Sequence, residues 1–293
     1  FISDGGVQEE ISQGAGRLAG FLGLNNLIMF YDSNDIQLST DTNAVTKEDT
    51  AKKYEAWGWN VMTISGNNAD EIRAALKAAQ SEKERPTIII GKTIMGKGAV
   101  TEDGSNYERK CATHGMPLGE AGASFAKSIA NLGGNPENPF VIFPEVKELY
   151  AKRHEELIKA ASLKKSEQSK WEISNPELAA KLKKFFSNEV PSIDYASIEH
   201  KPGLASRAAS ANVLSAYAQQ VENMVVSSAD LSNSDKTDGF LKKTKAFVKG
   251  DFSGKFLQAG VSELTMACIM NGMALHGGII PACGTFFVFS DYM

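Results

Sequence analysis

The sequence predicts an α/β protein built on parallel sheets. Three observations support this fold class: short apolar runs of the buried-strand type recur along the chain, amphipathic segments separate them, and acidic or amide residues follow the strands. Strands that alternate with helices form βαβ units, whose strands run parallel. With 293 residues, the chain has the length of about two domains.

Hydrophobic periodicity predicts alternating strands and helices in the first part of the chain. Val7, Ile11 and Leu18 recur at helical spacing, and Asn68 is followed three residues later by Glu71, as at a capped helix start. The expected elements are, in order, a strand end at the first residues, a helix over 6–22, a strand over 27–31, a helix from a capping sequence at 46–49 to residue 56, a strand over 60–64, a helix from 68 to 81 and a strand over 86–90.

The rest of the chain divides into a long loop, a charged segment and a second α/β pattern. Residues 91–119 have no clear period, and long loops in compact domains are often functional. A helix is expected over 120–132. Residues 139–202 are rich in Lys, Glu and Ala and are expected to form a helical linker with solvated charges. The second pattern has a helix over 206–220, strands over 223–227 and 256–260, a helix over 263–274 and a strand over 279–280.

Composition limits the classes of function. The net charge of −4 gives no electrostatic case for binding nucleic acid or an anionic membrane. No apolar run approaches the roughly 20 residues of a membrane span, and none resembles a signal peptide. Cys111, Cys268 and Cys283 are odd in number and widely spaced, which favours a reduced, cytoplasmic compartment.

Polar residues at two strand ends suggest a metal and phosphate site. Asp4 follows the first strand and Asn34 follows the second, and parallel strands bring their carboxyl ends to one edge of a sheet. Their oxygen atoms suit Mg²⁺, and the N–H groups of Gly5 and Gly6 at a helix start suit a phosphate. The simpler alternative is that Asp4 caps its helix and Asn34 makes a turn.

Other candidates also have simple structural alternatives. His114 lies in the long loop and is the best candidate for proton chemistry near neutral pH, although an isolated loop histidine is more often a surface residue. Glu263 begins a helix, where the helix dipole favours an acidic side chain in any case. Phe286, Phe289 and Tyr292 recur every three residues, and the default interpretation of such a stripe is core packing.

Several segments together resemble a known family. The run Ser3-Asp4-Gly5-Gly6, followed by Tyr31-Asp32-Ser33-Asn34-Asp35-Ile36, resembles the diphosphate and metal motif of thiamine-diphosphate enzymes. Within that superfamily, further segments resemble the transketolase family in collinear order, and these are 113–119 (THGMPLG), 205–210 (ASRAAS), 228–231 (SADL), 260–263 (GVSE), 275–278 (LHGG) and 285–292 (TFFVFSDY).

The resemblance implies a role for each matching residue. The divalent cation, Mg²⁺ or alternatively Ca²⁺ or another, would be bound by Asp4, Asn34 and the carbonyl of Ile36. Gly5 and Asn34 would contact the cofactor diphosphate, and His114 would contact both the diphosphate and the substrate. Arg207 and Ser234 would bind the sugar phosphate. Glu263 would bind the aminopyrimidine ring, against which Phe286, Phe289 and Tyr292 would pack, and Asp230 would lie near the cofactor. Glu263 and His114 are the implied catalytic residues, and Glu9 matches a carboxylate near the subunit interface.

The resemblance also implies an activity and a domain organisation. Residues 1–138 would be part of the diphosphate-binding domain, 139–202 the linker and 203–293 part of the pyrimidine-binding domain. The family transfers a two-carbon ketol unit from a ketose phosphate to an aldose phosphate in the pentose phosphate pathway. It binds thiamine diphosphate between two subunits of a homodimer. The alternatives are a dihydroxyacetone synthase, a 1-deoxyxylulose-phosphate synthase, or a non-catalytic half that needs a complementary chain.

Three departures from the family pattern qualify these expectations. Ser3 replaces the usual glycine before the metal aspartate, which affects the turn more than the ligands. Gly14 stands where relatives often have an interface carboxylate. The chain also begins inside a predicted strand without an initiator methionine, stops within a patterned aromatic stretch and covers somewhat less than half of a typical member, so we expect a fragment that is inactive by itself.

Overall fold

The computed structural model describes residues 1–187 and 189–293, which divide into two compact units. The first unit comprises Phe1–Ser33, Lys47–Lys92 and Lys184–Met293, and the second comprises Asn34–Thr46 and Thr93–Lys183.

The first unit begins with a four-stranded parallel sheet. Its strands are β1 (Ile2–Ser3), β2 (Ile28–Ser33), β3 (Asn60–Ser65) and β4 (Thr87–Lys92), in the order β1-β2-β4-β3. The helices around it are α1 (Asp4–Gln8), α2 (Glu10–Leu22), α3 (Thr50–Ala56) and α4 (Ala69–Ser81). The register pairs Ser3 with Asp32, so β1 and β2 end at the same edge of the sheet. All these pairs are parallel, which confirms the predicted βαβ organisation.

The second unit is mainly helical in its described residues. Its helices are α5 (Leu118–Ala121), α6 (Phe125–Asn131), α7 (Pro144–Ser174) and α8 (Pro176–Phe185), whose last two residues belong to the first unit. None of the 31 residues of α7 is buried, which confirms that the linker charges form a solvated face. The helix predicted over 139–202 is therefore confirmed for residues 144–185, apart from residue 175 between α7 and α8. Most of the other described residues in this range are not helical, and residue 188 lies outside the described residues.

The first unit contains a second parallel sheet of three strands. The elements are α9 (Ser206–Gln220), β5 (Met224–Ser228), α10 (Ser232–Asp235), α11 (Asp238–Leu241), β6 (Phe256–Gln258), α12 (Glu263–His276) and β7 (Ile280–Gly284), and the strand order is β6-β5-β7. Helix α2 packs on this sheet as well. Leu22 belongs to one core cluster with Val225, Leu257 and Met270, which come from β5, β6 and α12.

Two predicted helices are interrupted. The helix predicted over 6–22 breaks at Glu9, which has the extended ψ of 134°. The helix predicted over 120–132 breaks because Gly122 adopts a left-handed φ of 97° and Ser124 starts a new helix by accepting a hydrogen bond from the Lys127 N–H. Neither break disturbs the hydrophobic periodicity, which is why periodicity does not reveal it.

The capping predictions have mixed outcomes. Asn68 caps α4 as expected, since its side chain accepts from the N–H groups of Asp70 and Glu71. The sequence at 46–49 does cap a helix, but the cap is Asp49 and α3 begins only at Thr50. Most strand bounds move by one or two residues from the predictions, while β6 ends at Gln258 and β7 runs on to Gly284. Within the described parts of the chain, no helix combines the length and the apolar character that crossing a bilayer requires.

Candidate functional site

Asp4 lies where β1 passes into α1, and its side chain is only 2% exposed. The Oδ1 atom of Asp4 accepts a hydrogen bond of 2.7 Å from the Tyr31 hydroxyl in the neighbouring strand β2. The helix cap is Ser3, whose Oγ accepts from the Gly6 N–H at 3.4 Å. The simpler interpretation of Asp4 as the cap is therefore wrong, because the preceding serine provides that oxygen and the Asp4 carboxylate turns into the protein.

The glycines after Asp4 have different surroundings. A Cβ atom at Gly6 would lie 2.8 Å from Cγ1 of Ile2, so the packing excludes a side chain there. A Cβ atom at Gly5 would have no atom within 4 Å. The backbone at Gly5 is thus open to a ligand, as its proposed contact with a diphosphate requires.

Asn34 and Ile36 form a tight turn directly after β2. Oδ1 of Asn34 accepts a hydrogen bond of 3.1 Å from the Ile36 N–H, and Asp35 between them has a left-handed φ of 69°. The interpretation of Asn34 as a turn residue is confirmed. A metal role for Asn34 is a separate hypothesis, since an amide oxygen has two lone pairs and can accept more than one contact.

His114 lies in the second unit, at the end of a short 3-10 turn. Its N–H donates to the carbonyl of Cys111 at 2.9 Å. The Nδ1 atom of His114 is buried and has no hydrogen-bond partner within the described residues. A buried polar atom without a partner is costly, which makes this nitrogen suited to an additional hydrogen-bonding group such as a phosphate or a sugar hydroxyl.

The loop that carries His114 is internally ordered. The Gly98 N–H donates to the Glu108 carboxylate at 2.8 Å, and this bond holds the pKa of Glu108 below its usual value. The side chain of Asn131 in α6 donates to the Gly98 carbonyl at 3.0 Å. Leu38 approaches Gly115, so the loop after Asn34 and Ile36 lies beside the His114 loop.

Arg207 and Ser234 lie together in the first unit. The Nη1 atom of Arg207, in the first turn of α9, donates to the main-chain carbonyl of Ser234 in α10 at 3.3 Å. The two residues are 27 positions apart in sequence. Their proximity supports the sequence hypothesis that they act on one ligand.

Glu263 is the first residue of α12 and is half-buried. The Oγ1 atom of Thr285, the residue after β7, donates to Oε1 of Glu263 at 3.2 Å. Because α12 and β7 are consecutive elements, this bond ties the start of the helix to the carboxyl edge of the sheet. No sequence pattern points to a role for Thr285, since a threonine after a strand is common.

Phe286, Phe289 and Tyr292 form an aromatic ladder at the C-terminal end of the chain. The centroids of Phe286 and Phe289 are 6.0 Å apart, and those of Phe289 and Tyr292 are 6.3 Å apart. Residues 287–292 form a 3-10 helix, whose three-residue period aligns side chains at this spacing. Tyr292 is exposed and both phenylalanines are partly buried, so the choice between core packing and contact with a cofactor stays a prediction.

Asp230 lines a pocket of about 290 Å³ at the carboxyl edge of the second sheet. Asp230 is exposed and has a left-handed φ of 63°. The opposite wall includes Arg17 of α2, whose Nη2 atom donates to the Ala259 carbonyl at 2.8 Å. No sequence pattern distinguishes Arg17, because a single arginine on an amphipathic helix resembles any solvated charge.

Glu9 and Gly14, for which the resemblance implies a subunit interface, differ in their freedom to carry a side chain. Glu9 is exposed at the break between α1 and α2. Gly14 faces α12, and a Cβ atom there would lie 2.1 Å from Oγ1 of Thr265. The packing of α2 against α12 therefore excludes a side chain at position 14.

Possible metal ligands in the described part of the chain are oxygen atoms rather than a cluster of ionisable side chains. No group of three or more His, Cys, Asp or Glu residues could hold a metal ion there. A divalent cation would need amide and carbonyl oxygens beside a single carboxylate, together with oxygens from a ligand. Among the residues named above, Asp4 has a carboxylate oxygen, Asn34 an amide oxygen and Ile36 a main-chain carbonyl oxygen, which are the ligand types that a hard cation prefers.

Comparisons with known proteins cover both parts of the chain. A family model described as the transketolase thiamine diphosphate binding domain matches residues 1–191, and one described as the transketolase pyrimidine binding domain matches residues 202–293. The transketolase of Streptococcus pyogenes is 38% identical over 297 residues, which are 99% of this chain and 38% of that protein. The transketolase of Bacillus subtilis is 36% identical over 99% of this chain and 43% of its own length.

Solved structures give the same result. Transketolase from Leishmania mexicana has a TM-score of 0.89 and 28% sequence identity over 99% of this chain and 42% of that chain. A Pichia stipitis transketolase in complex with sedoheptulose 7-phosphate has a TM-score of 0.86 and 29% identity over 99% of this chain and 43% of its own. The chain thus spans about two fifths of the length of these relatives.

Proposed function

The chain belongs to the transketolase family, and on this basis we propose that the whole protein transfers a two-carbon ketol unit between sugar phosphates with thiamine diphosphate as cofactor. The observation that carries the proposal is the contact between Arg207 and Ser234. The family resemblance assigns both residues to the sugar phosphate, and the hydrogen bond joins them although they belong to different helices.

Arg207 would bind the phosphate of donor and acceptor sugars. A guanidinium group is planar, remains charged at every physiological pH and has five N–H donors, so it suits a dianionic phosphate. The Ser234 hydroxyl would add a neutral hydrogen bond. Transketolase structures from Pichia stipitis contain sedoheptulose 7-phosphate or fructose 6-phosphate, which supports sugar phosphates as substrates here.

Asp4, Asn34 and the carbonyl of Ile36 would hold the divalent cation, with Gly5 and Asn34 at the cofactor diphosphate. The family model for residues 1–191 is a thiamine diphosphate binding domain, which supports the cofactor. The all-oxygen donor set favours Mg²⁺, and Ca²⁺ is the alternative. Tyr31 would orient the Asp4 carboxylate through its hydrogen bond, and the buried Nδ1 of His114 would receive a partner from diphosphate or substrate.

Glu263 would act on the aminopyrimidine ring of the cofactor. When bound, thiamine diphosphate supplies an acidic carbon and an electron sink. Glu263 would hold a proton at a carboxylate oxygen and share it with a ring nitrogen, while Thr285 keeps the carboxylate in place from the other oxygen. Phe286, Phe289 and Tyr292 would pack against the ring and exclude water from it, and Asp230 would lie near the cofactor.

The remaining parts of the proposal concern the whole protein. We propose that the whole protein is a cytoplasmic homodimer of the pentose phosphate pathway, in which Glu9 lies near the subunit interface. We also propose that the diphosphate-binding domain ends at residue 138 and that the pyrimidine-binding domain begins after residue 202. The chain alone would not turn over, because its relatives are more than twice as long. A dihydroxyacetone synthase or a 1-deoxyxylulose-phosphate synthase remains the alternative, and neither has a specific observation in its favour.

The proposal is tested by supplying the full-length protein with Mg²⁺, thiamine diphosphate, xylulose 5-phosphate and an aldose phosphate, and by identifying the sugars formed. A ketose phosphate two carbons longer than the acceptor supports the proposal. In parallel reactions, formation of dihydroxyacetone when formaldehyde replaces the aldose phosphate, or of a 1-deoxy sugar with release of CO2 when pyruvate replaces xylulose 5-phosphate, would instead identify one of the alternative synthases.

A further inference from the structure

We propose that Lys236 is a second cationic group for the sugar phosphate, beside Arg207. This inference rests on the proposed function, because the anion concerned is the phosphate of the sugar substrates. It makes Lys236 a residue that determines the preference for phosphorylated over unphosphorylated sugars.

Both cations converge on the same short helix. The Nζ atom of Lys236 donates to the carbonyl of Asn233 at 2.7 Å, and Nη1 of Arg207 donates to the carbonyl of Ser234 at 3.3 Å. Asn233 and Ser234 are consecutive residues of α10. The ammonium group and the guanidinium group therefore bind consecutive carbonyls of one short helix, in which the Ser234 hydroxyl donates to Oδ1 of Asn233 at 3.1 Å.

Neither cation is neutralised by a carboxylate. Among the described residues, no acidic side chain forms an ion pair with Arg207 or Lys236, whereas nearby Lys242 pairs with Asp238 at 2.6 Å. An ammonium group has three N–H donors and a guanidinium group has five, and the contacts above use one of each. Both cations therefore keep N–H donors that a dianion could accept from.

Asp235, the residue directly before Lys236, accepts hydrogen bonds from other groups. Oδ2 of Asp235 accepts from the Ser228 hydroxyl at 2.7 Å, and Oδ1 accepts from both the N–H and the hydroxyl of Thr237 at 2.8 Å. Both carboxylate oxygens of Asp235 therefore contact Ser228 of β5 or the buried Thr237, and Asp235 does not form an ion pair with Lys236. It fixes the chain on both sides of the lysine.

The backbone presents Lys236 in an unusual conformation. Its φ is +70°, in the left-handed region where glycine or asparagine is usual. The flanking contacts of Asp235 and Thr237 hold this turn, and Gly284 at the end of β7 packs against it, since a Cβ atom there would lie 2.7 Å from Cγ2 of Thr237. The ammonium group is therefore attached to a fixed backbone, which lowers the entropic cost of binding an anion.

A purely structural role is the competing explanation. The Lys236 ammonium could simply cap the last carbonyls of α10, in which case only its hydrogen bond to Asn233 would matter. The two roles are separated by Lys236→Gln, which keeps an N–H donor for the carbonyl but removes the charge, and by Lys236→Arg, which keeps the charge.

The experiment compares fructose 6-phosphate with fructose as ketol donors for the full-length holoenzyme, because these sugars differ only in the phosphate. The measured quantity is the ratio of the two kcat/KM values. We expect Lys236→Gln to lower this ratio about tenfold or more, which is the worth of one hydrogen bond between charged groups. Lys236→Arg should retain most of the ratio, and Lys242→Gln, the matched control with a paired lysine, should retain all of it.

The outcomes distinguish this inference from the proposed function. A Lys236→Gln ratio equal to that of the wild type, with a lowered ratio for Arg207→Gln, would overturn the role of Lys236 and leave the proposed function standing. Equal losses in Lys236→Gln and Lys242→Gln would also overturn it, because the effect would then be one of net charge. A wild-type enzyme that transfers no ketol unit from fructose 6-phosphate would overturn the proposed function and this inference with it.

Discussion

The Tyr31 hydroxyl donates a 2.7 Å hydrogen bond to Oδ1 of Asp4 across the first two strands of the sheet. Both side chains are buried, and the strand register that pairs Ile2 with Tyr31 sets them next to each other. In the proposed metal site Asp4 is the only carboxylate, so Tyr31 fixes the orientation of its single charged ligand.

Tyr31→Phe should therefore weaken metal binding. Loss of a hydrogen-bond partner behind a metal ligand typically costs about 10-fold to 100-fold in affinity. We expect the Mg²⁺ concentration for half-maximal activity of the full-length enzyme to rise about 10-fold, with little change in the rate at saturating Mg²⁺. The measurement is a Mg²⁺ titration at saturating thiamine diphosphate.

Tyr54→Phe is the matched control for this titration. Tyr54 belongs to the same core cluster as Tyr31, but its buried hydroxyl has no hydrogen-bond partner within the described residues. Its removal should leave the Mg²⁺ requirement unchanged. The role of Tyr31 would be contradicted if the two variants required the same Mg²⁺ concentration.

Gly14→Ala should destabilise the protein. The added Cβ would lie 2.1 Å from Oγ1 of Thr265, a residue that is 1% exposed and cannot move aside. Overpacking of this kind costs about 1–3 kcal/mol, measured as the free energy of unfolding in urea.

Gly272→Ala provides the opposite control, because Gly272 lies in α12 and a Cβ atom added there would have no atom within 4 Å. This replacement should stabilise the helix by about 0.5–1 kcal/mol. An equal free energy of unfolding for Gly14→Ala and Gly272→Ala would contradict the close packing of α2 against α12.

Tyr54 should make stability depend on pH at the alkaline end. Burial raises the pKa of Tyr54 to about 12, whereas an exposed tyrosine in the unfolded chain titrates near pH 10. Between these values the unfolded state loses its phenolic proton and the folded state keeps it, so folding stability falls as pH rises from about 10 to 12.

The comparison with Tyr54→Phe isolates this effect. The stability contributed by the neutral phenol is fully present below about pH 10, so the difference in unfolding free energy between wild type and variant should be constant there. As pH approaches 12, the wild type should lose unfolding free energy relative to Tyr54→Phe. A difference that stays constant over the whole range would show that Tyr54 is accessible to water.

The regular features of the fold were predictable because they follow from local patterns. Helix α9 lies at its predicted bounds, and α4 begins at its predicted Asn68 cap. The breaks at Glu9 and Gly122 were not predictable, since the apolar spacing continues through both of them.

Candidate site residues were predictable where they occur in distinctive sequence segments. They were not predictable where a residue's contribution depends on contacts made only in the folded chain. Arg207 and Ser234 were assigned together and do lie in contact. Tyr31, Thr285 and Lys236 were not assigned, because a tyrosine in a strand, a threonine after one and a lysine in a turn are common residues in common places. Only the folded chain shows what their polar atoms contact.

The most direct test of the account concerns Glu263. We expect Glu263→Gln in the full-length enzyme to lower the rate of two-carbon transfer from xylulose 5-phosphate by about 10²-fold to 10⁴-fold, which is the usual contribution of a positioned acid or base. Mg²⁺ and thiamine diphosphate should still bind, as measured by the quenching of protein fluorescence. A variant with nearly wild-type turnover would contradict the role of Glu263 and the proposed chemistry of the site.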